Sequence, residues 1–169
     1  MVSFRQKHGL CFKPALKRLQ EVQGEIYQRM MLLIPEHVSF YDSFQSHVQH
    51  SPLLKMDVLE RHPYTHFLRL TYQFEHADGN EIAPDAHIRL YKDARLAEAT
   101  SFNPLQGCQR VAHPSLPHQY LLQRSWRLNL ALHKWLDYLL QQGHNVASMR
   151  PVSDGIRGGE ALPIVEALG

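Results

Sequence analysis

From Tyr64 to Glu75 the chain alternates without a break. Tyr64, His66, Leu68, Leu70, Tyr72 and Phe74 fall on one side of an extended backbone, and Thr65, Phe67, Arg69, Thr71, Gln73 and Glu75 on the other. Successive side chains of a strand point to opposite faces, so the pattern describes a strand with one buried face. Strands of this kind belong to antiparallel sheets covered on one side only. The run from Leu53 to Glu60 repeats the pattern, with Leu54, Met56 and Val58 opposite Lys55 and Asp57. Pro63 separates the two, and Asp78-Gly79-Asn80, residues that tolerate positive φ, mark a turn after the second. Such short links join neighbours in sequence, which favours an antiparallel meander over parallel βαβ units.

The apolar face needs a cover, and two segments supply it. Phe12, Leu16, Leu19, Gln23, Ile26, Met30 and Leu33 recur every three or four residues, with Pro14 in the first turn and Pro35 beyond the last. Lys17 and Glu21, four apart, lie on the opposite face. Gly24 in mid-helix costs up to about 1 kcal/mol relative to alanine unless another backbone packs closely there. The Met30 to Ile34 end reads as core. Tyr120 to Gln142 forms the second helix, with Leu121, Ser125, Leu128, Leu132, Trp135 and Leu139 on a broad face and Gly143 placed for a left-handed cap. Asn129 is polar on that face and must find partners in the sheet or the other helix. The fold class expected is therefore α+β: an antiparallel meander of three to five strands, with an N-terminal and a C-terminal helix packed on one face. Glu36 to Pro52 shows no clear period, and residues 103 to 117 form a long loop.

Arg89-Leu90-Tyr91-Lys92-Asp93-Ala94-Arg95-Leu96-Ala97-Glu98-Ala99 has two readings. As one strand it puts Arg89, Tyr91, Asp93 and Arg95 together on one face. As a hairpin about residues 91–94 it gives two short strands whose Leu90 and Leu96 point into the core. The candidate partner- or ligand-binding residues are Arg89, Tyr91, Asp93 and Arg95, with Arg69 as a neighbour, on the sheet face opposite the helices. A β-bulge or hairpin at Lys92-Asp93 would flip half of them onto the core side, and a homodimer would bury the open face instead.

The same stretch, Arg89 to Glu98, resembles the "R-x-Y-H-D-A-R-V-A-E-V" signature of the YqiB-like proteins, an uncharacterised bacterial family. His62-Pro63-Tyr64-Thr65 is similar to that family's "x-x-Y-T", and Asn129, Trp135, Leu136 and Gly143-His144 to its closing helix. The resemblance spans roughly residues 12 to 145 and implies a single domain over residues 1–146; past Val146 the composition turns to Gly155, Gly158, Gly159 and Pro163, and residues 147–169 read as a flexible tail. It brings no activity, although members often have genes near nucleotide-hydrolysing enzymes. Two departures stand out: Leu121-Leu122-Gln123-Arg124-Ser125 occupies the place of an acidic "D-E-K" run, and Lys92 that of a histidine.

Composition narrows the function. The chain has 169 residues, 44% of them hydrophobic, enough for one domain with a core. The net charge is +2; residues 1 to 35 hold six Lys/Arg against two Glu, a local +4 that reads as a solvated helix face. Two cysteines, Cys11 and Cys108, fit no paired spacing, and no apolar run is long enough to span a bilayer, so a reduced cytoplasmic setting without membrane attachment is expected. The 12 histidines include His62 and His66, too far apart along a strand to share a metal ion, and His47 and His50, which have no acidic or cysteine partner nearby. No metal and no cofactor is expected.

Tyr91, Phe67, Arg69 and Arg89 would suit a stacking surface for RNA, but the low net charge and the acids on the same strands weigh against nucleic acid. No P-loop, nucleophile elbow or dinucleotide motif is present, and nothing in the sequence converges a nucleophile, a base and an orienting group. The reading is a non-enzymatic binding or regulatory module acting through a protein partner or a small anionic ligand. The alternatives are a small hydrolase of phosphorylated substrates, with Asp93 or Glu98 as base and Arg89 or Arg95 as clamp, and an RNA-binding module.

Overall fold

The protein is seen in a computed structural model that describes residues 12–76, 79–104 and 118–152. Helix α1 (Phe12–Leu33) leads through a short 3₁₀ helix (Glu36–Ser39) into strand β1 (Ser43–Ser46). Strands β2 (Leu53–Arg61), β3 (Thr65–His76), β4 (Gly79–Tyr91) and β5 (Leu96–Asn103) follow as a meander, then α2 (His118–Gln141) and β6 (Met149–Pro151). The sheet order is β5-β4-β3-β2-β1-β6, with every pairing antiparallel.

The expected α+β arrangement is present, with a larger sheet than expected. The two additional strands have only four and three residues. Neither is long enough for a period of two to stand out, and β6 lies past residue 146, in a stretch that also holds Pro151, Gly155, Gly158, Gly159 and Pro163. The Cys11 and Cys108 positions, the 105–117 part of the long loop and residues 153–169 lie outside the described residues.

Both helices cover the same face. Ile26, Met30 and Leu33 of α1 and Leu132, Trp135, Leu136 and Leu139 of α2 pack with Met56, Leu68, Leu70, Ile88 and Leu90 of the sheet. Each fully buried aliphatic side chain contributes about 1.5–3 kcal/mol by leaving water. On the outer side of the helix pair, Arg29 Nε meets Asp137 Oδ1 at 2.5 Å and His133 Nε2 meets Glu25 Oε2 at 2.7 Å. Among the described residues no backbone of another element lies against Gly24: a methyl group there would meet Leu96 Cδ2 at 3.9 Å.

Two polar features of α2 hold it to the sheet. Asn129, fully buried, accepts the Ala99 N–H at 3.1 Å and donates to the Ser125 carbonyl at 2.8 Å. Since β5 is an edge strand, this bond satisfies a backbone donor that a bare edge would leave open. Gly143 takes φ 97°, and the bonds from Gly143 N to Leu140 O and from His144 N to Leu139 O close a Schellman motif. The cap carries His144 into the space between α2 and the β1–β2 loop, where it is buried.

Residues 88–99 form a hairpin, turning at Lys92–Arg95 with Arg95 at φ 52°. Tyr91 pairs with Leu96 and Leu90 with Ala97. Leu90 therefore enters the core as expected, whereas Leu96 belongs to the opposite side of the hairpin and is only half-buried. Across a four-residue turn Leu96 stands directly opposite Tyr91 and shares its face, so Leu90, one residue away, takes the other.

Candidate functional site

The face turned away from the helices is assembled from the second set of side chains on each strand. Pairing aligns Ser43, Asp57, Arg69, His87 and Ser101 in one row across five strands. Glu60, Phe67, Arg89 and Glu98 form another. A β-bulge at Leu59 brings Glu60 rather than Leu59 opposite Phe67, and leaves Leu59 exposed. A second irregularity, between His87 and Ile88, lets Thr100 Oγ1 reach the His87 carbonyl at 3.2 Å.

Neighbouring side chains in these rows are joined. Ser43 Oγ donates to Asp57 Oδ1 at 2.6 Å, and His87 Nδ1 lies 2.7 Å from Ser101 Oγ. Arg69 forms a two-pronged bond with Asp85, Nε to Oδ1 at 3.0 Å and Nη2 to Oδ2 at 2.9 Å, which raises the guanidinium pKa. Phe67 stacks on His87, with centroids 5.9 Å apart and planes 23° apart. The Arg89 guanidinium sits 5.7 Å from the Phe67 ring centre, a cation–π contact. Tyr91 donates its hydroxyl to Glu98 Oε1 at 2.8 Å, and burial together with that bond raises the phenol's pKa. Arg89 Nη1 is 3.9 Å from the same carboxylate oxygen, and Gln23 of α1 reaches the other at 3.5 Å.

This geometry sorts the expected site residues. Arg69, Arg89 and Tyr91 do share the face opposite the helices. Asp93 and Arg95 do not stand with them: both are exposed in the hairpin turn, because the chain reverses at 92–95 instead of continuing as one strand. Arg69 is committed to Asp85. Arg89 is the guanidinium with reach to spare, its side chain 47% exposed and its carboxylate contact long. Glu98, read as a candidate base, already accepts from Tyr91 and Gln23. Arginine and carboxylate alternate across the face, so the surface is balanced in charge, with Phe67, His87 and Tyr91 supplying flat rings.

A family model described as "Protein of unknown function (DUF1249)" matches residues 29–145. The chain belongs to the DUF1249 family. No curated protein matches it, and no solved structure does. The matched span holds the strands β1 to β5, all of α2 and the residues of the open face.

The DUF1249 fold also brings together a group that sequence reasoning missed. His144 Nδ1 lies 2.7 Å from Ser46 Oγ, and its Nε2 lies 3.0 Å from Ser51 Oγ. Ser46 Oγ is 2.7 Å from Ser148 Oγ, and Ser51 Oγ is 3.2 Å from the Tyr72 hydroxyl. Burial lowers the pKa of His144 and keeps it neutral, and burial raises that of Tyr72. The five positions are scattered from 46 to 148, so no local motif betrays them. The one local signal is a histidine directly after the helix-capping glycine. Among the described residues no group of three or more His, Cys, Asp or Glu is placed to hold a metal ion, and no helix is long and apolar enough to cross a membrane.

Proposed function

We propose that this DUF1249 protein is a binding module whose open sheet face, centred on Phe67, Arg89 and Tyr91, takes a protein partner. The observation that supports it is the pairing of charge on that face. Arg69 is neutralised by Asp85, and Arg89 faces Glu98, so the surface lacks the excess of positive potential that phosphate-rich polymers require. Flat rings beside an adaptable arginine are the groups that anchor protein interfaces. A small anionic ligand is the second form of the same reading, since Arg89 has donor capacity beyond its long contact with Glu98. The motifs at Arg89–Glu98 and Asn129–His144 resemble those of YqiB-like proteins, and we take the molecule to be a cytoplasmic bacterial protein of that kind.

The test is affinity capture from a bacterial lysate with the wild type and a Phe67→Ala/Arg89→Ala variant, monitoring ultraviolet absorbance for RNA. A protein recovered with the wild type and lost from the variant agrees with the proposal. RNA recovered with the wild type assigns the face to nucleic acid instead. A screen against phosphoesters covers the hydrolase alternative: turnover abolished by Asp93→Asn, with thermal stability kept, overturns the binding-module reading.

A further inference from the structure

We propose that Ser51 is a nucleophile activated by His144 as general base, in a centre that cleaves neutral carboxylic esters. This goes beyond the binding function of the open face, and it lies on the other side of the sheet. Ser46 pairs with Leu54, and Leu54 with Tyr72, both of which are core residues under the helices.

The geometry has the three parts that nucleophilic catalysis needs. Ser51 Oγ is 3.0 Å from His144 Nε2, and the other ring nitrogen is held 2.7 Å from Ser46 Oγ. Ser46 is in turn fixed by Ser148, whose hydroxyl oxygen accepts the Asn145 N–H at 2.8 Å. With the ring proton on Nδ1 and donated to Ser46, the lone pair of Nε2 faces the Ser51 hydroxyl. His144 is fully buried while Ser51 is half-buried, so the base is shielded from water and the nucleophile sits at the edge. The residue before it, His50, has φ 64°. A non-glycine residue in that left-handed region is costly, and such residues gather where a side chain must be held in one place.

The Tyr72 hydroxyl, 3.2 Å from Ser51 Oγ, is the donor next to any oxyanion formed there, and its raised pKa keeps it protonated. Among the described residues no ion pair includes these side chains, so nothing favours a phosphate or a charged acyl group. The flank is aromatic, with the exposed Tyr138 ring 6.5 Å from Tyr72. These features select an uncharged ester. Ser51 Oγ adds to the ester carbonyl carbon as its proton passes to His144 Nε2. The carbon–oxygen bond to the alcohol then breaks, and the alcohol leaves with that proton. Water attacks the resulting acyl–Ser51 ester, giving a proton to Nε2, and the serine recovers a proton as the acid departs. Ser46 is a positioning residue. Being a hydroxyl rather than a carboxylate, it stabilises an imidazolium weakly, so turnover is slow and acylation is read most cleanly as stoichiometric modification.

The test is an alkyl fluorophosphonate, which bonds phosphorus to Oγ as fluoride leaves, read by intact mass and peptide mapping. Native wild type should carry one label on the peptide containing Ser51, with none on the urea-unfolded chain and none on Ser51→Ala. His144→Gln should label about 100-fold more slowly or less. Should that variant not fold, Ser46→Ala serves in its place: turnover of p-nitrophenyl acetate should lose kcat with KM unchanged. The Phe67→Ala/Arg89→Ala variant should label like the wild type whatever happens to its partner. An unlabelled Ser51 in the native protein, equal labelling of native and unfolded chains, or an unchanged kcat in Ser46→Ala overturns the proposal.

Discussion

Leu68, Leu70 and Tyr72 look toward the two helices, whereas Phe67 and Arg69, from the same strand, look away from them. On the helix-covered side, the fully buried polar groups are few. Asn129, His144 and Ser46 are each fully buried, and each has its bonds made within the protein. On the open side, polar groups are many and half exposed, and water can replace any partner that is removed. The difference teaches where a substitution registers: a lost contact costs its full desolvation penalty on the covered side, and only the small net value of a wet contact on the other.

Trp135 gives the largest expected effect. It is buried against Tyr72 and Phe102, with ring centroids 5.9 and 5.7 Å away. Trp135→Ala should lower the unfolding free energy by about 3–5 kcal/mol, measured by urea titration. Asn129→Ala comes next. It strands the Ala99 N–H at the sheet edge, for an expected loss of about 1–3 kcal/mol in the same titration. Loss from Asn129→Ala no greater than from an open-face substitution would erase the distinction between the two sides.

Acid probes the same contrast. Burial, helped by the charges of Lys92 and Arg61, lowers the pKa of His66, and burial alone lowers that of His144. Both rings are neutral in the folded chain, while in the unfolded chain they take up protons at the ordinary value of 6.5. Their contribution to stability is therefore complete above pH 6.5 and is lost as pH falls toward the lowered folded values. His66→Gln should flatten that part of the stability profile. A profile of unchanged slope would mean that His66 is not held neutral by the fold.

The covered side is also the side legible in sequence. Period-two alternation in β3 and period 3.6 in the helices mark Leu68, Leu70, Leu132 and Trp135 as one core, and the Gly143 cap follows from the same pattern. The open face is legible only in part. Alternation puts Arg69 and Arg89 on it, but the turn at 92–95 has Arg95 at φ 52°, which no glycine announces. That is why a reading of the residues alone groups Asp93 and Arg95 with Arg89. Of the Ser46, Ser51 and His144 group only the histidine after the capping glycine leaves a mark in the sequence, because the geometry arises from the meeting of a strand, a loop and a helix cap.

The smallest stability effects belong to the open face and to α1. Arg69→Ala should cost about 1 kcal/mol, the net value of one part-buried ion pair whose Asp85 side chain keeps 20% of its surface exposed. Gly24→Ala should instead stabilise by about 0.5–1 kcal/mol, because a methyl group fits there at 3.9 Å from its nearest neighbour. Both are read from the midpoint of thermal unfolding.

The most direct test of the claim that the open face serves binding rather than stability is to measure both properties on one variant. Phe67→Ala/Arg89→Ala should keep its unfolding free energy within about 2 kcal/mol of the wild type, because it removes one cation–π contact, the Phe67–His87 stack and one long ion pair at a half-exposed site. It should also lose the partner that the wild type captures. Native stability together with full retention of that partner would contradict the account.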